Sequence, residues 1–90
     1  MVYETGKSAE LFQQATQYLV GGVASSIHKA PDEEYPIYAV RGKGSRFYDV
    51  DGNEYIDYMG SFGPSILGFS PDAVNAAVIR QIQAGTHFAL

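Results

Sequence analysis

The stretch Arg46-Phe47-Tyr48-Asp49-Val50-Asp51-Gly52-Asn53-Glu54-Tyr55-Ile56-Asp57-Tyr58 decides how this chain folds. Two runs rich in aromatic and β-branched residues, 46–50 and 54–58, flank Asp51-Gly52-Asn53. Glycine after aspartate supplies the positive φ of a tight turn, so the stretch reads as a β-hairpin. Upstream, 37–40 is a further short β-rich run, and Arg41-Gly42-Lys43-Gly44 reads as the turn that joins it to the hairpin. The expectation is a three-stranded antiparallel meander. Short strands of this kind cannot cover both faces of their sheet, so it needs a helix or a larger body to pack against.

Working outward, Leu11, Phe12, Ala15, Tyr18 and Leu19 recur at helical spacing. Ser8 is the expected N-cap and Gly21-Gly22 the stop. Residues 23–36 combine small side chains, the acidic trio Asp32, Glu33 and Glu34, and two prolines, which makes them a loop. Loops of that length are usually functional or disordered, and this one is expected to be ordered by something outside the segment. Beyond the meander, 59–68 holds Gly60, Gly63 and Gly68 beside Phe62, Pro64, Ile66 and Leu67, a composition suited to a site-facing loop. Ser70-Pro71 then opens a second helix whose apolar stripe, Val74, Ala77, Val78 and Ile82, runs to Gly85. The fold class expected is α+β: helix, three-stranded antiparallel meander, loop, helix.

Ninety residues hold at most one small domain with a marginal core. With 46% apolar and 18% charged residues the sequence is too hydrophobic for disorder. A net charge of -4 with six Lys and Arg gives no footprint for nucleic acid. Cysteine is absent, and His28 and His87 lie far apart, which speaks against a structural metal. No apolar run is long enough to span a bilayer, so the default expectation is a soluble cytoplasmic protein without membrane contact.

Several short patterns invite a chemical reading and are weighed against a plainer one. Gly6-Lys7-Ser8 matches the end of a phosphate-binding P-loop, but Met1 stands where that motif opens on glycine and no strand precedes it. Asp49, Asp51 and Asn53 have the spacing that opens a calcium loop, yet Glu54 replaces the required glycine and Gly60 the bidentate glutamate. Turn chemistry accounts for them better. Gly42-Lys43-Gly44 reads as a solvated turn, not an anion cradle. Histidine is a residue type suited to acid–base work, but the residues offer His28 no partner, and a plain loop histidine is the better reading. Phe62, flanked by small residues, serves equally well as core or pocket lining. Lys7, Lys29 and Lys43 sit in polar turns or near the terminus, unlike the desolvated amine that Schiff-base chemistry needs.

Four stretches together resemble the N-terminal region of class III aminotransferases, closest to the glutamate-1-semialdehyde aminomutase branch. Ser8-Ala9-Glu10-Leu11-Phe12 and Leu19-Val20-Gly21-Gly22-Val23 look like that branch's opening helix and Gly-Gly-Val turn. Arg41-Gly42-Lys43-Gly44 with the hairpin resembles its Arg-Gly-x-Gly and Tyr-Asp-x-Asp-Gly-x-x-Tyr-Ile-Asp strand pair. Gly60-Ser61-Phe62-Gly63-Pro64 resembles its Gly-Ser-Trp-Gly-Pro loop, and Gly85-Thr86-His87-Phe88 a segment that approaches the neighbouring subunit's site.

The resemblance implies a fold type I enzyme dependent on pyridoxal phosphate: an α/β cofactor domain, a smaller domain to which 1–90 contributes its N-terminal part, and a homodimer with shared active sites. The lysine that holds the cofactor lies downstream in that family, so no catalytic or cofactor-binding residue is assigned within 1–90, and no metal. What carries over is the substrate side. Ser25 matches the serine after Gly-Gly-Val, Phe62 the aromatic of the glycine-rich loop, and His28 the place of an arginine that binds the substrate carboxylate. Histidine there gives a single, pH-dependent contact in place of a bidentate one. Phe69-Ser70-Pro71 also departs from the branch's Gly-His-x-His-Pro, so a transaminase acting on another amino acid is as good a reading as the aminomutase. The expected ligand is an amino acid or amino aldehyde. The alternative from another class is a self-standing, non-catalytic dimerisation or binding module. The end at Thr86-His87-Phe88-Ala89-Leu90, without a polar tail, reads as a truncation, and the segment is not expected to fold stably alone.

Overall fold

The computed structural model describes residues 2–89. The meander is present: β1 (Ala39–Lys43), β2 (Arg46–Asp49) and β3 (Glu54–Ile56) pair antiparallel in sequence order. Phe47 lies opposite Tyr55, and their rings stack at 5.0 Å, the kind of cross-strand pair that stabilises a sheet. Tyr3 and Phe69 meet this pair edge-on, at 5.0 Å from Tyr55 and 6.1 Å from Phe47.

The first turn is shorter than the sequence implies. Arg41, Gly42 and Lys43 belong to β1, Lys43 pairs with Arg46, and only Gly44 and Ser45 turn, with Gly44 at φ +58. Gly42 is in the strand for a packing reason: a Cβ there would meet the Phe69 ring at 2.6 Å. The third run is also cut short, because the Asp57 carboxylate accepts the backbone N–H groups of Met59 and Gly60 and turns the chain away from the sheet. The Asp51-Gly52 turn is where the hairpin chemistry puts it, with Gly52 at φ +94.

The first helix, α1 (Gly6–Ala15), starts earlier than expected, and Ser8 is not its cap. Ser8 lies inside the first turn and is fully buried. The exposed N–H groups at a helix start need acceptors, and here the Asp51 carboxylate from the β2–β3 turn accepts both Lys7 N at 2.8 Å and Ser8 N at 3.1 Å. The helix also ends at Ala15, well before Gly21-Gly22. The Thr16 hydroxyl donates to the Gln13 carbonyl at 2.7 Å, a local bond that competes with helix continuation. A short 3-10 turn, Val20–Gly22, follows, and Gly22 sits where a Cβ would strike the Phe12 ring at 2.4 Å.

The second helix, α2 (Asp72–Ala84), begins one residue later than expected. Ser70 stands at φ +51, a left-handed conformation incompatible with the capping role, and extended Pro71 leads into the helix. Lys43 Nζ ties this start to the sheet through Asp72 and the Ser70 carbonyl. The loop 23–36 is irregular apart from the 3-10 turn Ser26–His28.

Among the described residues no apolar side chain is buried; the two buried side chains are Ser8 and Asp49. The accessible surface is 7201 Å², where a compact protein of this mass exposes about 5,200 Å². The radius of gyration, 16.3 Å, exceeds the roughly 12 Å of a compact domain of this length. Polar bonds organise the hairpin end, while the apolar stripe of α2, with Ile82 61% exposed, has no cover within these residues.

Candidate functional site

Two polar centres flank the hairpin turn. The buried Asp49 carboxylate accepts Asn53 N (2.8 Å), Asn53 Nδ2 (2.8 Å) and the Tyr55 hydroxyl (3.0 Å). Burial is the largest single influence on Asp49 and favours its neutral form, yet the hydrogen bonds from Asn53 and Tyr55 together outweigh it and hold the carboxyl below its ordinary range. The same contact, added to burial, pushes the Tyr55 phenol up to about 12. Glu54 is held low by the Tyr48 hydroxyl and by Arg46. These carboxylate oxygens are occupied by donors, so the Asp49-Asp51-Asn53 spacing serves the turn and α1. That role was hidden in the sequence because Lys7 and Ser8 lie more than forty positions upstream of Asp51.

A second feature is a cavity of about 410 Å³ between the C-terminal end of α1 and the segment entering β1. Ala15, Leu19 and Gly22 form one wall, and Pro36, Ile37 and Tyr38 the other. His28 lines it, and also lines a neighbouring cavity of about 310 Å³ with Lys29, Glu33 and Met59. The 3-10 turn fixes His28 through its N–H to the Ser25 carbonyl at 3.0 Å. The long loop thus brings Ser25 and His28 together, one turn apart, with His28 in the lining of an otherwise mainly apolar cavity and Ser25 outside it.

Phe62 is placed elsewhere. It is 65% exposed and lines neither of these cavities. It stands at φ +64 directly after Ser61 at φ +53. Two consecutive left-handed residues other than glycine cost on the order of 1–2 kcal/mol each, and such strain clusters at ligand-facing segments. The loop around it contributes Met59, Gly60 and Ser65 to a third cavity of about 490 Å³ with Gly44, Asp57 and Gly68.

A pyridoxal phosphate anchor needs a desolvated lysine. Lys7 is exposed, Lys29 Nζ bonds the neighbouring Ala30 carbonyl at the surface, and Lys43 is engaged by Asp72 with its side chain 58% exposed. None of the three fits.

The family model described as "Aminotransferase class-III" matches residues 27–90. The chain belongs to that family. A class III relative, the glutamate-1-semialdehyde 2,1-aminomutase of Sulfurihydrogenibium azorense, is 54% identical over 84 residues, covering 91% of this chain and 19% of the relative. This class III chain therefore spans about a fifth of the length of the curated relatives it matches. Among solved structures, an omega-transaminase from Sphaerobacter thermophilus superposes with a TM-score of 0.86 at 36% identity, over 92% of this chain and 18% of the other. A transaminase with PLP bound superposes with a TM-score of 0.92 at 30% identity, over 99% and 20%. The helix, antiparallel sheet and second helix thus form a fragment of the transaminase fold, and pyridoxal phosphate is the cofactor seen in that family.

Proposed function

We propose that this segment is the substrate-side part of a longer pyridoxal phosphate enzyme, an aminotransferase or aminomutase acting on an amino acid or amino aldehyde. The observation that carries this reading is the 54% identity to an aminomutase along nearly the whole chain. Residues 1–90 belong to the smaller domain of a fold type I enzyme, with the cofactor domain outside them. Because no lysine here fits the cofactor, no step through it is assigned to this segment. Its own work is to shape a wall: His28 faces the substrate beside the apolar surface of Leu19, Val23 and Ile37, with Ser25 one turn before it, while Phe62, exposed on the glycine-rich loop, joins the site by family likeness only. A homodimer, with contacts from this segment, rests on the family resemblance; a cytoplasmic location rests on composition.

His28 supplies one donor to a substrate carboxylate, where arginine supplies two. Replacing His28 by Arg is expected to lower KM for a carboxylate-bearing substrate about tenfold, roughly 1.4 kcal/mol, and an unchanged KM would remove His28 from the site. The whole reading is tested by loading the full-length protein with pyridoxal phosphate, adding an amino donor with and without an acceptor, and mapping the lysine labelled on borohydride reduction. The expected label lies outside residues 1–90. Labelling of Lys7, Lys29 or Lys43 would overturn the division of labour. Product formed without an acceptor identifies the internal shift, and product only with one identifies transfer.

A further inference from the structure

We propose that Asp51 is a positioning residue for the His28 cavity, acting through α1; this rests on the reading of that cavity as the substrate-side pocket. Asp51 touches no cavity wall itself. Its carboxylate accepts Lys7 N and Ser8 N and so fixes the start of α1 on the hairpin turn. One residue further along the clasp, Ser8 Oγ accepts Tyr38 N at 3.2 Å, and Val50 N donates to the Tyr38 carbonyl at 2.8 Å. Tyr38 is part of one wall of the cavity, and Ala15, at the far end of α1, part of the other. The two walls are therefore joined through this polar clasp.

The remaining packing makes that clasp the pivot of α1. Ser8 is the sole fully buried residue of α1; Leu11, Phe12 and Ala15 are half-buried, with the Phe12 ring against Gly22, so apolar packing holds the helix only in part. Three further polar ties, Asn53 Nδ2 to the Glu4 carbonyl, Tyr3 OH to the Glu54 carbonyl and the Thr5–Tyr35 hydroxyl pair at 3.0 Å, secure the chain before the helix, while Asp51 and Ser8 hold its first turn. From Ser8 to Ala15 the helix is a lever about 10 Å long, so a tilt of about 10° at the pivot displaces the Ala15 wall by roughly 2 Å. A displacement of that size changes a substrate contact without disturbing groups elsewhere in the protein.

The sequence around Asp51 serves this function by division. Asp49 is occupied by Asn53 and Tyr55 within the hairpin, which leaves Asp51 free to face α1. An aspartate at a helix start is favourable both as acceptor and as a negative charge at the positive end of the helix dipole. Asparagine keeps one acceptor oxygen and loses the charge. Alanine loses both.

The test uses the full-length protein. Asp51→Ala is expected to raise KM for the amino donor about tenfold while kcat stays within about twofold, and to speed amide hydrogen exchange at Lys7, Ser8 and Tyr38 together. Asp51→Asn is expected to recover most of the KM change, and Ser8→Ala serves as the measured variant if Asp51→Ala does not fold. Ser8→Ala, which cuts the second half of the pivot, is expected to reproduce the KM effect with Tyr38 as the amide most affected. A KM unchanged in Asp51→Ala and Ser8→Ala, with only thermal stability lowered, would overturn the positioning role. Exchange confined to Lys7 and Ser8, with Tyr38 protected, would also overturn it by showing that the walls are held independently. If the unaltered protein moves no amino group, the functional reading fails, while the exchange pattern still decides whether the pivot joins the two walls.

Discussion

Around the β2–β3 hairpin the polar groups find partners within the segment, whereas α2 and the glycine-rich loop hold out apolar side chains that stay largely exposed. Asp49, Asp51, Asn53, Tyr55, Ser8 and Tyr38 form a closed set of hydrogen bonds, and no buried side-chain polar atom among the described residues lacks a partner. On α2, Val74, Val78, Ile79 and Ile82 are all exposed. The difference separates two sources of order. The hairpin end is specified by bonds among its own residues; the α2 end takes its conformation from helix propensity and leaves its apolar stripe uncovered among the described residues.

The largest expected effect concerns the segment as a whole. Isolated residues 1–90 should melt without a cooperative transition in calorimetry, because among the described residues no apolar side chain is buried to drive one. A sharp, reversible transition would dissolve the contrast. In the full-length protein Ile82→Ala should cost about 2–5 kcal/mol if α2 is covered there, read as a shift in denaturation midpoint; a loss under about 0.5 kcal/mol is what an exposed site gives.

Within the hairpin, Asp49→Ala strands the Asn53 and Tyr55 donors and should cost about 1–3 kcal/mol. Since the Asp49 carboxyl is held below its ordinary value in the fold, its contribution is present above pH 3.8 and fades as pH falls through the lowered value. The Tyr55 phenol runs the other way. Its folded value of about 12 lies above the ordinary 10, so its stabilisation is complete below pH 10 and is lost as pH rises toward 12. The stability gap between the unaltered protein and Tyr55→Phe should narrow across that interval, and a constant gap would deny the Asp49–Tyr55 bond its role. The smallest effect is at Ser70, where glycine should relieve the left-handed backbone and stabilise by under about 1 kcal/mol; destabilisation would mean that the Ser70 side chain, which accepts from Asn75 Nδ2 at 3.3 Å, matters more than its backbone.

What the sequence made legible follows the same division. The Asp51-Gly52 turn and the apolar stripe of α2 are local signals, and both appear where their chemistry puts them. Ser8 misled because a serine before a helical stripe is a sound cap signal, while the actual acceptor, Asp51, is far away in sequence. Gly42 misled because glycine marks turns, and only the Phe69 ring lying over it explains a glycine inside a strand. At the site, Ser25 and His28 were legible as neighbours in one short turn. The cavity beside them was not, since its walls come from α1 and from the entry to β1, which nothing in either stretch announces. Phe62 was set on the substrate side by family likeness, the residues alone leaving core and pocket lining equally open, and here it is exposed and lines neither that cavity nor its neighbour.

The base of the glycine-rich loop is closed twice, by Asp57 N to the Ser45 carbonyl at 2.8 Å and by the reciprocal bonds of Gly44 and Phe69 at 2.9 and 2.7 Å. Gly68 fits that closure only without a side chain, since a Cβ would meet the Gly44 carbonyl oxygen at 2.6 Å. With both ends clamped to the sheet, the span between them behaves as an interchangeable cassette. Doubling the length of a flexible loop adds only about 0.6 kcal/mol of closure cost, so the stretch carrying Phe62 can be lengthened or rewritten while the strands beneath it keep their register.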